Sequence, residues 1–98
     1  MMLPASFTSL AELDVEDTAT WYEAQVRGLG EYFLLAVDHA VAQIEENPLQ
    51  FPRVHRETRR TLLRRFPYAL YFRVETNRTV VIGCFHGHRS PKAWQRRK

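Results

Sequence analysis

The sequence predicts an α+β domain in which a helical hairpin lies on a mostly antiparallel sheet. Three observations predict it. Apolar residues recur at helical spacing between residues 9 and 46, the period drops to two beyond residue 60, and the charge changes sign between the two halves. Residues 1–52 hold nine of the eleven acids against one base, Arg27, a net of −8. Residues 53–98 hold thirteen of the fourteen Lys and Arg against Glu57 and Glu75, a net of +11. The overall +3 therefore conceals a strong dipole, and a cationic half of this density implies a polyanionic or acidic partner.

The elements follow in order. Leu3–Thr8 reads as an edge strand, with Pro4 near its beginning where a missing N–H does least harm. Ser9-Leu10-Ala11-Glu12 fits a capping box, the hydroxyl and carboxylate closing free amides at a helix start. Behind it Val15, Ala19, Tyr22 and Val26 form one apolar stripe, with acids crowded into the N-terminal turns that the helix dipole favours. Arg27-Gly28-Leu29-Gly30 breaks the pattern and suits a tight helix–helix connection. A second helix carries Phe33, Val37, Ala40 or Val41, and Ile44 on one face. Asn47-Pro48 ends it, because the residue before proline avoids the helical region.

Leu49–Thr58 reads as a loop punctuated by Pro48 and Pro52. Three short strands rich in aromatic and β-branched residues follow, Thr61–Phe66, Tyr68–Glu75 and Thr79–His86, with Thr76-Asn77-Arg78 closing a hairpin between the last two. Leu70, Phe72 and Val74 form the apolar face, while Ala69, Tyr71 and Arg73 point the other way. With the early strand this makes a four-stranded sheet: an N-terminal edge strand, a helical hairpin, then a three-stranded antiparallel meander. The basic tail from Arg89 is expected to fray, apart from Trp94, which is large enough to pin it.

Ninety-eight residues allow one domain, spanning 1–98, with one core. Hydrophobic and aromatic fractions of 45% and 12% argue for a folded chain. No apolar run approaches a membrane span, so no membrane partner is expected. Cys84 is the single cysteine, which excludes an intrachain disulfide and points to a reducing cytoplasm.

Cys84, His86 and His88 alternate along the last strand and would share a sheet face. Thiolate and imidazole suit zinc, but no fourth ligand is evident, and neither a metal nor a cofactor is expected. A Cys–His nucleophile is disfavoured because Cys84 sits inside the apolar run Val80–Phe85, with nothing to activate a thiolate. The larger signal is a basic cluster, Arg59, Arg60, Arg64, Arg65, Arg73, Arg89, Lys92, Arg96 and Arg97, interleaved with Tyr68, Tyr71, Phe72, His86 and His88. Guanidinium forks bind phosphate and aromatic faces stack on bases, which suits RNA; the same face equally suits an acidic protein segment. Trp21, beside Tyr22, covers a helix flank or a partner groove.

The order of motifs resembles one family. Ala11-Glu12-Leu13-Asp14-Val15-Glu16, Trp21-Tyr22-Glu23, Gly28-Leu29-Gly30 with Phe33, and Asn47-Pro48 with Phe51-Pro52 are similar to the RelE/ParE superfamily of type II toxin–antitoxin toxins. Arg59-Arg60, Leu62-Leu63, Phe66-Pro67-Tyr68, Tyr71-Phe72-Arg73-Val74, and His86-Gly87-His88-Arg89 with Pro91 and Trp94 continue the resemblance over roughly Ser9–Trp94. It is nearest to the branch called plasmid-stabilisation proteins. The resemblance implies a bacterial, growth-inhibiting toxin wrapped and silenced by a cognate antitoxin, with DNA bound only through that antitoxin. It implies one of two targets. ParE-like members inhibit DNA gyrase; RelE-like members cut ribosome-bound mRNA without metal. Tyr68-Ala69-Leu70-Tyr71 places tyrosine where RelE-like members carry an arginine, which favours the ParE-like role. Under the ribonuclease alternative, Arg65 and Arg89 would clamp phosphate and His88 would move protons. Under either, Arg60, Arg64, Tyr68, Arg73, His86 and Trp94 are the residues expected to contact target or antitoxin. A member that has lost toxicity and only binds is the third possibility.

Overall fold

A computed structural model describes residues 3–97; Lys98, counted above with the basic half, lies outside them. The elements are β1 (Ala5–Phe7), α1 (Ser9–Gln25), α2 (Leu29–Glu46), a single 3-10 turn (Pro48–Gln50), β2 (Arg53–His55), β3 (Thr58–Leu62), β4 (Tyr68–Val74), β5 (Thr79–His86) and α3 (Pro91–Gln95). The sheet order is β1-β5-β4-β3-β2. β1 runs parallel to β5, with Ala5 opposite Thr79, and every other pairing is antiparallel. The α+β class, the early edge strand and the helical hairpin are as the sequence predicts.

The sheet has five strands rather than four. β2 falls inside the stretch expected to be a loop, and β3 starts at Thr58, three residues earlier than expected. Both differences come from unmarked turns. Arg56 makes the β2–β3 turn at φ 52° and Arg65 makes the β3–β4 turn at φ 65°. Left-handed residues at such turns are ordinarily Gly, Asn or Asp, so arginine there gives no sequence signal.

α1 is capped by Thr8, whose Oγ1 accepts a hydrogen bond from Ala11 N at 3.1 Å, not by Ser9. Ala11, Val15 and Ala19 are buried. Val26 is 58% exposed, because the helix stops at Gln25 and Val26 turns extended. The hairpin connection is held by Glu23: its carboxylate accepts from Gly28 N at 2.9 Å and Gly30 N at 3.0 Å, capping α2 from the neighbouring helix. Gly28 adopts φ 88°, and a Cβ on Gly30 would lie 2.6 Å from the Ala19 carbonyl oxygen. The two glycines thus serve different ends, one the turn and the other the close helix approach. Phe33, Val37, Ala40 and Ile44 of α2 are buried on the sheet, as their spacing predicts.

One core lies between helices and sheet, containing Phe33, Ile44, Leu70, Phe72, Val81 and Cys84. A second lies on the opposite face, where Trp94 of α3 stacks on Tyr71 at 4.7 Å above Ala69, Ile82 and Phe85. The tail is therefore not frayed over the described residues. It forms a helix that covers the second sheet face, so β4 is buried on both sides and Tyr71 is 1% exposed. A bulge between Tyr71 and Phe72 pairs them with Gly83 and Val81, leaving Ile82 as the extra residue.

The tail is tied through an ion pair. β1 pairs only with Thr79–Val81, so the outer edge of β5 beyond Val81 has no strand beside it. Asp14 of α1 and Arg97 fill that gap. Asp14 Oδ2 accepts from Cys84 N at 3.0 Å, and Arg97 Nη1 donates to Ile82 O at 2.9 Å. The two side chains pair with each other at 2.9 and 3.1 Å in a two-pronged contact, with 17% and 19% of their surfaces exposed. Together they stand in for a missing strand, joining α1, β5 and the tail.

Cys84 lies beneath this pair. Burial pushes its thiol up to about 12, and the Asp14 carboxylate adds in the same direction. A group so hard to ionise packs rather than reacts.

Four outcomes follow for stability and reactivity. Asp14→Ala strands a guanidinium and a backbone N–H, and urea titration should show a loss of about 2–4 kcal/mol. Adding Arg97→Ala to that variant should cost about 1 kcal/mol or less, since its partner has already gone. Gly30→Ala gains about 1 kcal/mol in helix propensity but meets backbone that cannot turn aside, so a net loss of about 1–3 kcal/mol is expected by the same titration. At pH 8, iodoacetamide should label Cys84 in the native chain at least about a thousandfold more slowly than in the denatured chain, the ratio set by the thiolate fraction. Labelling at comparable rates would show that the thiol is accessible and ionised.

Candidate functional site

The sheet register brings part of the basic and aromatic set to one end of the molecule. Tyr68 opens β4 directly opposite His86, which closes β5, and their rings lie 5.3 Å apart. Gly87 N donates to Pro67 O at 2.8 Å, so the β3–β4 turn and the β5–α3 turn are held together. His88 N donates to His86 Nδ1 at 3.0 Å, which leaves the His86 Nε2 edge as its other donor or acceptor. Tyr68 also packs edge-on to Phe33 at 5.6 Å and Tyr22 at 6.1 Å, so its ring belongs half to the core. Tyr22 in turn touches Phe66 at 4.9 Å, and burial, with Tyr68 beside it, raises the Tyr22 hydroxyl above the usual phenol range.

The cluster that looks continuous in sequence divides across the two sheet faces. Arg64 and Arg65 sit on the helix side, at the mouth of an open groove of about 1050 Å³ formed with Tyr22, Leu29, Tyr32, Leu35, Ala36, His39 and Phe66. Arg60 pairs with Tyr71 and Arg73 with Thr58, which places both on the face opposite the helices. Arg73 Nε there is buried with no hydrogen-bond partner. Arg89 lies 5.4 Å over the Phe85 ring, also toward that second face. Arg65 and Arg89 consequently flank the sheet end from opposite sides, and His88 is exposed.

Several cations are already committed. Arg97 is bound to Asp14, Arg59 donates to Phe51 O at 2.6 Å, and Arg53 and Arg78 pair with Glu57 and Glu75. Among the described residues, Arg60, Arg64, Arg65, Arg73, Arg89, Lys92 and Arg96 of the cluster have no acidic partner, and neither do Arg27, Arg56 and Arg59. Trp94 is 6% exposed and packs the second core, leaving little surface for a partner to touch. Cys84 is buried in the helix-side core while His88 lies past the strand end, so the alternating trio does not share one open face. No three His, Cys, Asp or Glu among the described residues are grouped to hold a metal ion.

The groove floor was not foreseen from sequence. Its signal was nevertheless present: α2 carries Tyr32, Leu34 and Leu35 off the stripe that faces the core, and a helix apolar on two sides has a second surface to cover. No helix among the described residues is long and apolar enough to cross a membrane.

No family model matches the sequence, and no curated protein does. Solved structures do. A chain of the chromosomal ParDE toxin–antitoxin system from P. aeruginosa superposes with a TM-score of 0.73 at 19% identity, covering 87% of this chain and 96% of that one. A chain of the RelBE2 toxin–antitoxin complex from Mycobacterium tuberculosis gives 0.63 at 18% identity, covering 88% and 99%. By this likeness the protein has the RelE/ParE-like fold.

Proposed function

We propose that this chain is the toxin of a type II toxin–antitoxin pair, acting in the cytoplasm and neutralised by a cognate antitoxin protein. The observation that carries the reading is the superposition over almost the full length of chains from two such complexes, joined to ten basic side chains that have no acidic partner among the described residues. A fold shared with proteins that work in complexes, plus uncompensated charge, favours a partner-binding role.

The ParE-like target, DNA gyrase, is the favoured one. Tyr68 stands where a RelE-like arginine is expected and its ring is packed against Phe33, so it supplies no cation. Arg65 and Arg89 approach the sheet end from opposite sides, a poor arrangement for gripping one phosphate. A RelE-like ribonuclease has one observation in its favour: His86 is oriented by His88 N at 3.0 Å, with Tyr68 at its side, as a proton-transfer group would need.

Induction of the chain in a bacterial host is expected to arrest growth, relieved by co-expression of the product of the adjacent gene. Under the gyrase reading, arrested cells accumulate DNA breaks and an SOS response while mRNA stays intact, and His86→Ala leaves the arrest in place. Rapid cleavage of translated mRNA, lost by about a hundredfold or more in His86→Ala, would select the ribonuclease instead. Normal growth at high expression would reject toxicity altogether.

A further inference from the structure

The helical hairpin carries a second apolar surface, on the side of α1 that faces away from the sheet. Leu10, Leu13, Asp17 and Trp21 recur at spacings of three, four and four, so they form one column along the helix, about 16 Å long. That column lies nearly opposite Ala11, Val15 and Ala19, the buried side. Its three apolar members are 54%, 50% and 57% exposed, too large and too regularly placed for scattered surface residues. Leu34 of α2 extends the patch, lining with Thr20 an open cleft of about 460 Å³ between the two helices. A helix apolar on two opposite sides has two surfaces to pack, and the fold covers one of them.

Charge identifies what the outer side can take. Asp17 within the column, Glu16 beside it and Glu31 at the cleft are exposed and have no basic partner among the described residues. Arg27, the one base of residues 1–52, lies past the end of α1 and borders the cleft rather than the column. Nucleic acid and anionic lipid are repelled by such a surface. So is the acidic segment that the unpaired arginines call for. A second copy fits no better. Pairing two columns about a two-fold axis sets Leu13 against Trp21, and therefore Asp17 against Asp17. The basic tail of another copy is not free to serve, because Trp94 is buried and Arg97 is taken by Asp14. What remains is a cationic amphipathic helix, apolar at i, i+3 or i+4, and i+7, with Lys or Arg among and beside those residues. Trp21 gives it a large aromatic anchor of the kind that concentrates binding energy.

We infer that the outer face of α1 binds a basic amphipathic helix of a partner protein, with its apolar residues on Leu10, Leu13 and Trp21 and its cations on Glu16 and Asp17. The surface is opposite in charge to the arginine-bearing ones and points away from the sheet. It therefore stands independently of the toxin–antitoxin reading and allows a second protein to be held at the same time as an acidic one.

The test uses the full-length chain and a synthetic Leu/Lys amphipathic peptide of about 18 residues, with a shuffled peptide of the same composition as control. Calorimetry is expected to give at least about tenfold tighter binding for the amphipathic peptide than for the shuffled one. Emission from Trp21 should move to the blue on binding, while the buried Trp94 contributes a constant background. Leu13→Ser and Asp17→Lys should each weaken the amphipathic peptide by about tenfold or more, and Asp17→Lys should also flatten the salt dependence. Both positions are exposed, and an unchanged thermal midpoint in circular dichroism verifies that the variants fold. A ternary complex of chain, peptide and the adjacent gene's product supports a separate site. Equal affinity for the two peptides overturns the assignment by reducing it to charge alone, and so does unaltered affinity in both folded variants. Displacement of the peptide by the adjacent gene's product overturns it too, since the face would then belong to the neutralising partner. Self-association of the wild-type chain in sedimentation, abolished by Leu13→Ser, would make a second copy the occupant instead. None of these outcomes bears on growth arrest, which tests the toxin reading by itself.

Discussion

The pairing of Asp14 with Arg97 is the contact on which the rest of the arrangement depends. It closes the part of the β5 edge that β1 is too short to reach, and it does so with side chains from two distant segments. An open edge would offer free N–H and C=O groups to any passing strand. Closing it with an ion pair also draws the tail back over the sheet, which places Trp94 on Tyr71 and buries the second face. Beneath the pair, Cys84 is sealed into the helix-side core, which is why the one thiol of the chain is structural.

That second core changes what the basic half can be. With Arg97 committed and Trp94 buried, the remaining cations divide between the helix-side groove and the face that carries Arg60 and Arg73. The two sets are separated by the sheet, so they serve two contacts or two parts of one long partner. A partner that winds around the domain could use both. A single compact ligand could not. The unpartnered Arg73 Nε on the far face is consistent with a contact still to be made there.

The acidic helices and the basic strands also face different neighbours for a simple reason. Glu23, Asp14 and Glu45 are acids that the fold uses internally, the first capping α2, the second holding β5 and the third accepting from Ala5 N of β1. Most of the remaining acids on α1 and α2 stay in water, where repulsion among them is screened. The arginines sit on strands and turns whose apolar neighbours hold them at the rim. Charge separation along the chain thereby becomes charge separation between layers of the molecule.

Local regularities determined much of this protein without reference to tertiary structure. The α1 positions Val15 and Ala19, the α2 positions Phe33, Val37, Ala40 and Ile44, the stop at Asn47-Pro48 and the β4–β5 hairpin all follow from period, cap and turn chemistry, which act over a few residues. The charge split and the family resemblance were likewise open to reading, and Arg64, Arg65, Tyr68 and His86 were named from them. What only the folded chain decided were contacts between residues far apart in sequence. Asp14 meets Arg97 across 83 positions, and nothing near either one announces it. β2 went unread because Arg56 turns the chain where glycine or asparagine would have given a signal. The sorting of arginines onto two faces depends on the β3–β4 register, which puts Arg60 and Arg73 on the face opposite the helices, while the turn beyond β3 leaves Arg64 and Arg65 on the helix side.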